Sequence, residues 1–446
     1  MEKRKNMKNI LKKYFSYKLL FVYLTYSFLL ITGMFTRSFL GISLFGFRIG
    51  ELVIGFALIL TLYFFFYPKP SLYFDFGSRK FFVVHKFIVA YVLLRLIINF
   101  NNINLYQFKS SSFIWTISII YLGIVVSNLY KQNNLVIVGF ALTPIFVYIF
   151  QTGNYPNFLI SIFQNYSDKF QFMKAADMVI VIIVSSLYLK QSQSNKTVSV
   201  IYTNFLCFLF LPLVAINSRG AVLGLILFWV IENLNNFSLY KKQKSVIIIL
   251  LLINAVTFSF SSLRVSNIGS DVLINSEEPL LSGLPEVVSD IANEKKTQEV
   301  FLSFYFSDRR IYSTDPTTNW RLDIWQDVIE DLSKKGRILY GYGYGEIIPV
   351  MKDPTAPGRL GRDGLNENVH NYFVTTLARG GLINLFLFLF LHFEIFKNLK
   401  NTKLGKSTYS LIVPCLFMSS LDITMDGVQF PLLYYFFVGY FSQEKH

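Results

Sequence analysis

The chain is poor in the residues that staple, punctuate or charge a soluble protein. It has two cysteines in 446 residues, Cys207 and Cys415. Both fall inside apolar runs, which makes a disulfide framework improbable and leaves no metal-ligand spacing. Charged residues make up only 15% of the chain, against roughly 25% in soluble domains. There are four histidines and no D-x-D pair, so a divalent-metal clasp of that type has no candidate. No repeat with a period of about 20–50 residues occurs, and no Pro- or Ser-rich linker marks off a second domain.

What is abundant is apolar surface, with 53% of residues hydrophobic and 17% aromatic. It comes in blocks of roughly 16–22 residues, the length of a helix that crosses a bilayer core. In order the blocks are about 19–36, 49–67, 81–98, 113–129, 135–150, 172–189, 198–216, 219–233, 245–263, 372–396, 408–422 and 426–442. The expected fold class is therefore an all-α polytopic membrane protein with about 12 transmembrane helices. The start, MEKRKNMKNILKKYFSYK, resembles a signal peptide's basic region. The apolar stretch after it is too long and no A-x-A-like site comes next, so it reads as a retained first span.

Basic residues choose the side. With the N-terminus inside, the inside segments hold 21 Lys+Arg and the short outside loops six, and Lys and Arg in short loops stay cytoplasmic. Both termini are expected in the cytoplasm. Much of the +15 net charge is then a topology signal, and no nucleic-acid partner is implied. The expected organisation is spans one to nine over 1–263, one large extracytoplasmic loop over 264–371, and spans ten to twelve over 372–446.

That loop carries 12 Lys+Arg and 17 Asp+Glu, a net of −5, so it is a folded polar element and not a basic tail. Within it, STDPTTNWRLDIWQDVIEDLSKKGR has helix punctuation. Asp315 can cap the N-terminus, Pro316 suits the first helical position, and Gly336 comes just after the last turn. Trp320, Ile324, Val328 and Leu332 recur every four residues, an apolar face meant for the membrane surface or the spans.

Topology also separates the histidines. His85 and His392 sit near cytoplasmic span ends and His446 is the last residue, which leaves His370 as the histidine expected outside. Lone histidines are more often structural than catalytic, but this one opens HNYFVTTLARGG at the mouth of a span. On a continuous helix His370, Val374, Leu377 and Gly381 would share one face, with the glycine leaving room for a backbone or a ligand chain. Arg219 lies in NSRGA, a very short outside turn, and a charge there is costly unless it meets an anion or lines a wet cavity. Arg321 lies on the polar side or edge of the loop helix. Each arginine taken singly could equally be snorkelling. Together, guanidinium groups can grip phosphate and a histidine can take a proton from a hydroxyl as it attacks.

Other features read more weakly. GYGYGEIIP over 341–349 lacks the Lys and Ser/Thr of a phosphate loop, and is expected as a turn with Tyr342 or Tyr344 stacking on sugars. Glu51 with Arg48, and Arg95, either pair structurally or line a cleft. Asp177, Asp422 and Asp426 fall at outer span ends, either solvated or binding acceptor hydroxyls.

NSRGA at a span start, an external arginine in WRLDIWQDVIE, the GYGYGE turn and HNYFVTTLARGGLIN entering the next span together resemble the bacterial O-antigen ligase and O-antigen polymerase superfamily. That family's histidine pattern is H, then N, S or Q, nine residues, G, two residues, then G, T or Y. Here it runs His370, Asn371, Gly381 and then Asn384, so the final position departs from the pattern. The resemblance implies a GT-C-like fold and a metal-independent glycosyl transfer that needs no cofactor, because the undecaprenyl diphosphate carrier is part of the substrate. It implies that Arg219 and Arg321 stabilise the diphosphate leaving group and that His370 orients or deprotonates the acceptor hydroxyl, in an inverting displacement. It places Asn371, Tyr342, Tyr344 and Gly381 at the substrate. Partners would be a lipid-linked glycan donor and a sugar acceptor, with a chain-length regulator and a flippase as further candidates. The site would be the bacterial inner membrane, working on its periplasmic face.

The acidic loop is a poor platform for a polyanionic acceptor, although Arg309–Arg310 is a local basic patch. With Asn384, this favours a polymerase of lipid-linked repeat units. The alternative is a ligase delivering glycan to lipid A core, and a more distant one is a transporter or flippase, which would carry polar residues at the midplane of several spans.

Overall fold

The computed structural model describes residues 17–66, 79–98, 105–129, 134–167, 173–193, 195–274, 303–307, 309–354, 356, 359–360 and 367–443. The N-terminal basic segment, His446 and much of the 264–371 connection lie outside the described residues.

The apolar blocks become helices because hydrocarbon offers no partner for a free backbone amide or carbonyl. In the first half these are α1 (Tyr17–Leu40), α2 (Ile49–Phe66), α3 (Arg79–Ile98), α4 (Leu105–Trp115), α5 (Ile119–Leu129) and α6 (Asn134–Gln151). A 3-10 turn joins α4 to α5, and a small antiparallel ribbon, β1 (Ser43–Leu44) with β2 (Phe47–Arg48), sits between α1 and α2. Next come the short α7 (Asn157–Tyr166), α8 (Ala175–Ser192), α9 (Lys196–Asn217), α10 (Arg219–Asn235), the short α11 (Phe237–Lys242) and α12 (Lys244–Ile274). A hairpin of β3 (Phe304–Ser307) and β4 (Arg310–Ser313) precedes α13 (Pro316–Lys334), and the chain closes with α14 (Tyr372–Lys400), α15 (Thr408–Ser419) and α16 (Gln429–Phe441). The protein is an all-α polytopic membrane protein.

Among the described residues, nine helices are long and apolar enough to cross a membrane. The other three expected spans fold as shorter helices: α10 has 17 residues, α15 has 12 and α16 has 13. At 1.5 Å per residue α16 runs only ~20 Å, short of a ~30 Å hydrocarbon core. Every one of its residues is buried, so protein and not lipid surrounds it. It packs on α5 and α8. Backbones meet there because Gly123 lies against the Phe436 carbonyl and Gly439 against the Ile120 carbonyl, where a side chain would not fit.

The tenth span also differs from expectation. The helix α14 is broken at Gly381, whose φ is 69 and ψ −171. The length after the break, at ~1.5 Å per residue, comes to ~28 Å, so the span-length helix starts at Leu382 and not at Tyr372. The two halves are offset, which overturns the idea that His370 and Gly381 share one helix face. His370 itself lies before the helix at φ 54.

The polar cap is built around α13. Asp315 accepts from the Thr318 amide at 2.9 Å, Pro316 opens the helix, and Gly336 takes a φ of 65 just beyond it. Ile324, Val328 and Leu332 are fully buried against Ile348, Met351, Val369, Leu377 and Ala378. The expected apolar face therefore rests on the first half of α14 and its neighbouring turns. On the opposite side, Arg310 and Arg359 both pair with Asp323 and Asp327.

Candidate functional site

Gly381 explains how the cap is held. Its left-handed backbone opens α14, and the 338–343 turn pairs with the opened strand of backbone. Leu382 N donates to Ile338 O at 2.9 Å, Tyr342 N to Ala378 O at 2.7 Å and Gly343 N to Arg379 O at 2.9 Å. A Cβ on Gly381 would collide with the Leu339 carbonyl. Close approach was expected at this glycine, and what approaches is the protein's own backbone. Arg95 and Tyr91 of α3 close the other side, donating to Gly341 O at 3.2 Å and Gly380 O at 2.7 Å. Arg95 thus holds the GYGYGE turn, and Arg379 donates to Gly343 O and Glu346 O in the same way.

Of the two turn tyrosines, one is fully buried and the other is half-buried and tied to the cap. Tyr344 is fully buried beside Phe113, with Asn384 Nδ2 at 3.4 Å from its hydroxyl. Tyr342 donates to Asp331 at 2.5 Å and packs on the α13 cluster. The stacking expected of them gives way to anchoring. Asn384 is itself buried against Gly380, which gives the departure from the histidine pattern a packing role.

The neighbouring Asn371 sets the position of His370. Asn371 caps α14, its Oδ1 accepting from the Phe373 and Val374 amides at 3.0 and 3.2 Å. His370, immediately before that cap, takes a left-handed φ of 54, uncommon for a residue other than glycine. The imidazole meets the edge of Trp320 with ring centroids 5.3 Å apart. Burial, then the charge of Arg321, pushes its pKa down to about 4, against a smaller upward pull from Asp422. The ring is therefore neutral at neutral pH and able to accept a proton.

Both arginines meet at the same end. Arg219, the first residue of α10, donates to Asp315 at 2.7 Å while its side chain stays 52% exposed. Burial opposes ionisation of Asp315, but hydrogen bonds from Thr318 and then from Arg219 outweigh it and hold the carboxyl below its ordinary value. Arg321 Nη1 donates to the Leu421 carbonyl at 2.5 Å. Burial lowers its pKa somewhat, with Asp422 and Asp315 opposing, and an arginine so shifted stays charged. Asp422 lies next in the chain, 3.5 Å from the Ser218 hydroxyl, and its field reaches His370. The three expected catalytic residues thus come together, with Trp320, Asp315 and Asp422 as neighbours, which the sequence marks as part of an apolar helix face, a helix cap and a span-end acid.

Other expected residues fall elsewhere. Arg48 and Glu51 close the β2–α2 turn, the Arg48 amide donating to Glu51 at 2.9 Å. His85 meets the Tyr121 hydroxyl at 2.8 Å and His392 the Phe388 carbonyl at 3.0 Å, both buried in apolar packing. Asp177 is buried and accepts from Gln429 at 3.2 Å.

The fold and this end of the bundle define a class: a polytopic membrane protein whose polar cap sets two arginines and a histidine over helix ends. Residues 204–389 match the model of the family described as O-antigen ligase. Over that segment the chain is similar to the O-antigen ligase family, which supports a ligase- or polymerase-type membrane protein in general terms. No curated protein matches the chain in sequence comparison.

Proposed function

We propose that the protein is a metal-independent glycosyltransferase of the bacterial inner membrane that polymerises undecaprenyl-diphosphate-linked oligosaccharide repeat units on the periplasmic face. The observation that carries this reading is the meeting of Arg219, Arg321 and a neutral His370 at one end of a membrane bundle. The acceptor sugar hydroxyl forms a bond to the anomeric carbon of the donor as the bond from that carbon to the diphosphate oxygen breaks. His370 takes the hydroxyl proton, and undecaprenyl diphosphate leaves with the electron pair. Arg219 and Arg321 meet the charge that grows on the departing oxygen, a task that fixed guanidinium groups perform without reorganising. Displacement from the opposite face inverts the anomeric centre.

Polymerase is favoured over ligase by the charge of the cap. The basic patch at Arg309–Arg310 is partly spent, since Arg310 lies 2.7 Å from Asp327 and 3.1 Å from Asp323. What remains suits a neutral sugar hydroxyl on a lipid-linked chain better than a phosphate-rich acceptor. Deleting the gene and running the surface glycan on a gel tests the reading. The expected result is loss of the long ladder with a single repeat still attached. Loss of all attached glycan identifies a ligase, and an unchanged ladder refutes both.

A further inference from the structure

Two more cations stand at the same end of the bundle, and neither belongs to the segment that matches the family. Arg37 lies in the last turn of α1, and Lys174 is the residue from which α8 starts. These two helices touch one turn deeper, where Gly33 of α1 would place a Cβ 3.8 Å from Val181 of α8. Outward of that contact, at the start of α8, the charge of Arg37 acts on both Asp177 and Lys174. The helix α1 breaks just there, at Thr36 (φ 39, ψ −110), so Arg37 leaves the regular helical path. Asp177 is tied to Gln429 at 3.2 Å, and the turn before Gln429 carries Asp422 and the carbonyl that binds Arg321. Arg37 and Lys174 are therefore neighbours of the Arg321 site and not a separate surface patch.

Their surroundings differ from those of other cations in the fold. Lys190 is paired with Glu232 at 2.6 Å and Arg219 with Asp315 at 2.7 Å. Among the described residues, neither Arg37 nor Lys174 makes an ion pair within 4.0 Å. Burial, then the like charge of Arg37, lowers the pKa of Lys174, with Asp422 and Asp177 opposing and Arg321 adding to the fall. Two partly buried like charges side by side repel, and an anion set between them removes that repulsion.

We propose that Arg37 and Lys174 form the second half of a diphosphate cradle, binding one phosphate of a lipid diphosphate while Arg219 and Arg321 bind the other. This rests on the glycosyl-transfer reading above. It divides the cradle between the two halves of the chain, so α1 and α8 supply substrate recognition as well as scaffold.

The test measures binding of undecaprenyl diphosphate, undecaprenyl monophosphate and inorganic diphosphate to the full-length protein in nanodiscs. The double variant Arg37→Gln/Lys174→Gln should bind undecaprenyl diphosphate about tenfold or more weakly, since charged hydrogen bonds carry most of such contacts. Its monophosphate affinity should stay within about twofold, because Arg219 and Arg321 remain to hold one phosphate. Lys174→Arg should keep diphosphate binding, and Lys174→Gln alone, measured in case the double variant fails to assemble, should lose at least about threefold. Inorganic diphosphate should compete with the lipid; if it binds as tightly as undecaprenyl diphosphate and loses affinity equally, the site is one for free diphosphate and the lipid assignment fails. An unchanged diphosphate affinity in an assembled Gln variant, or equal losses for diphosphate and monophosphate lipids, overturns the inference alone. A wild-type protein that binds neither lipid overturns the glycosyl-transfer reading and this cradle with it.

Discussion

Two groups of arginines flank the same helix, and they are used differently. On one side of α13, Arg310 and Arg359 each lie against both Asp323 and Asp327, with Arg359 also donating to the Val350 carbonyl at 3.1 Å. Two cations and two anions cancel, and the set pins the β3–β4 hairpin and Arg359 to the helix. On the other side, Arg219 pairs with Asp315 and keeps a half-exposed side chain, while Arg321 donates to a carbonyl. Charge on that side is held in place without the doubled carboxylate clamp. The comparison teaches that counting arginines in this cap says little about chemistry, whereas asking which are clamped between two carboxylates separates the two sides.

The sharpest way to break this distinction is to remove His370, the proposed proton acceptor, and Arg321. His370→Gln should lower turnover by about 10²–10⁴-fold, the usual worth of a positioned base, as read by formation of lipid-linked chains in proteoliposomes. Arg321→Ala should cost about 10²–10³-fold, with assembly and thermal midpoint preserved. Near-normal rates from both would remove these residues from the chemistry.

The clamp side predicts the opposite pattern. Arg359→Ala should destabilise the cap by about 1–3 kcal/mol, because Asp323 and Asp327 lose a charged donor, while turnover per folded molecule stays the same. A variant that keeps its stability and loses turnover would erase the difference between the two sides. Gly381→Ala forces a side chain into a left-handed backbone pressed on Leu339, and should cost about 1–2 kcal/mol or more with loosening of the 338–343 turn. Limited proteolysis of that turn would report it, and unchanged protection would contradict the docking described.

The smallest effect is in pH. A histidine held down to about 4 keeps its base form as pH falls past 6.5, so the acid limb of the rate should lie near pH 4. Arg321→Ala removes one of the causes of that depression, and the limb of its residual activity should move upward. A limb at 6.5 in the wild type would show that His370 is solvated during turnover.

Much of the fold was legible in the sequence because its signals are local. Asp315, Pro316 and Gly336 punctuate α13 where expected, and blocks of apolar residues become the long helices. The break at Gly381 was not legible, since LARGGLIN reads as continuous helix until the 338–343 turn comes to pair with it. Tyr342 and Tyr344 looked available for sugars, and only packing shows that they anchor the turn. His370, Arg219 and Arg321 were found through motif and topology, whereas Lys174 and Arg37 lie far from them in sequence and become neighbours only when α1 and α8 pack. One signal pointed to them: charge bias leaves one side of the bundle poor in Lys and Arg, so any basic residue at a span end there runs against the trend.

Reconstitution tests the central claim most directly. Purified full-length protein in liposomes is given a lipid-linked repeat unit, and both chain length and free undecaprenyl diphosphate are tracked for wild type and Arg321→Ala. The account predicts lipid-linked multimers with one undecaprenyl diphosphate released per unit added, without added metal, and almost none of either from the variant. Multimers formed equally well by Arg321→Ala, or no bond formation by the wild type, would contradict it.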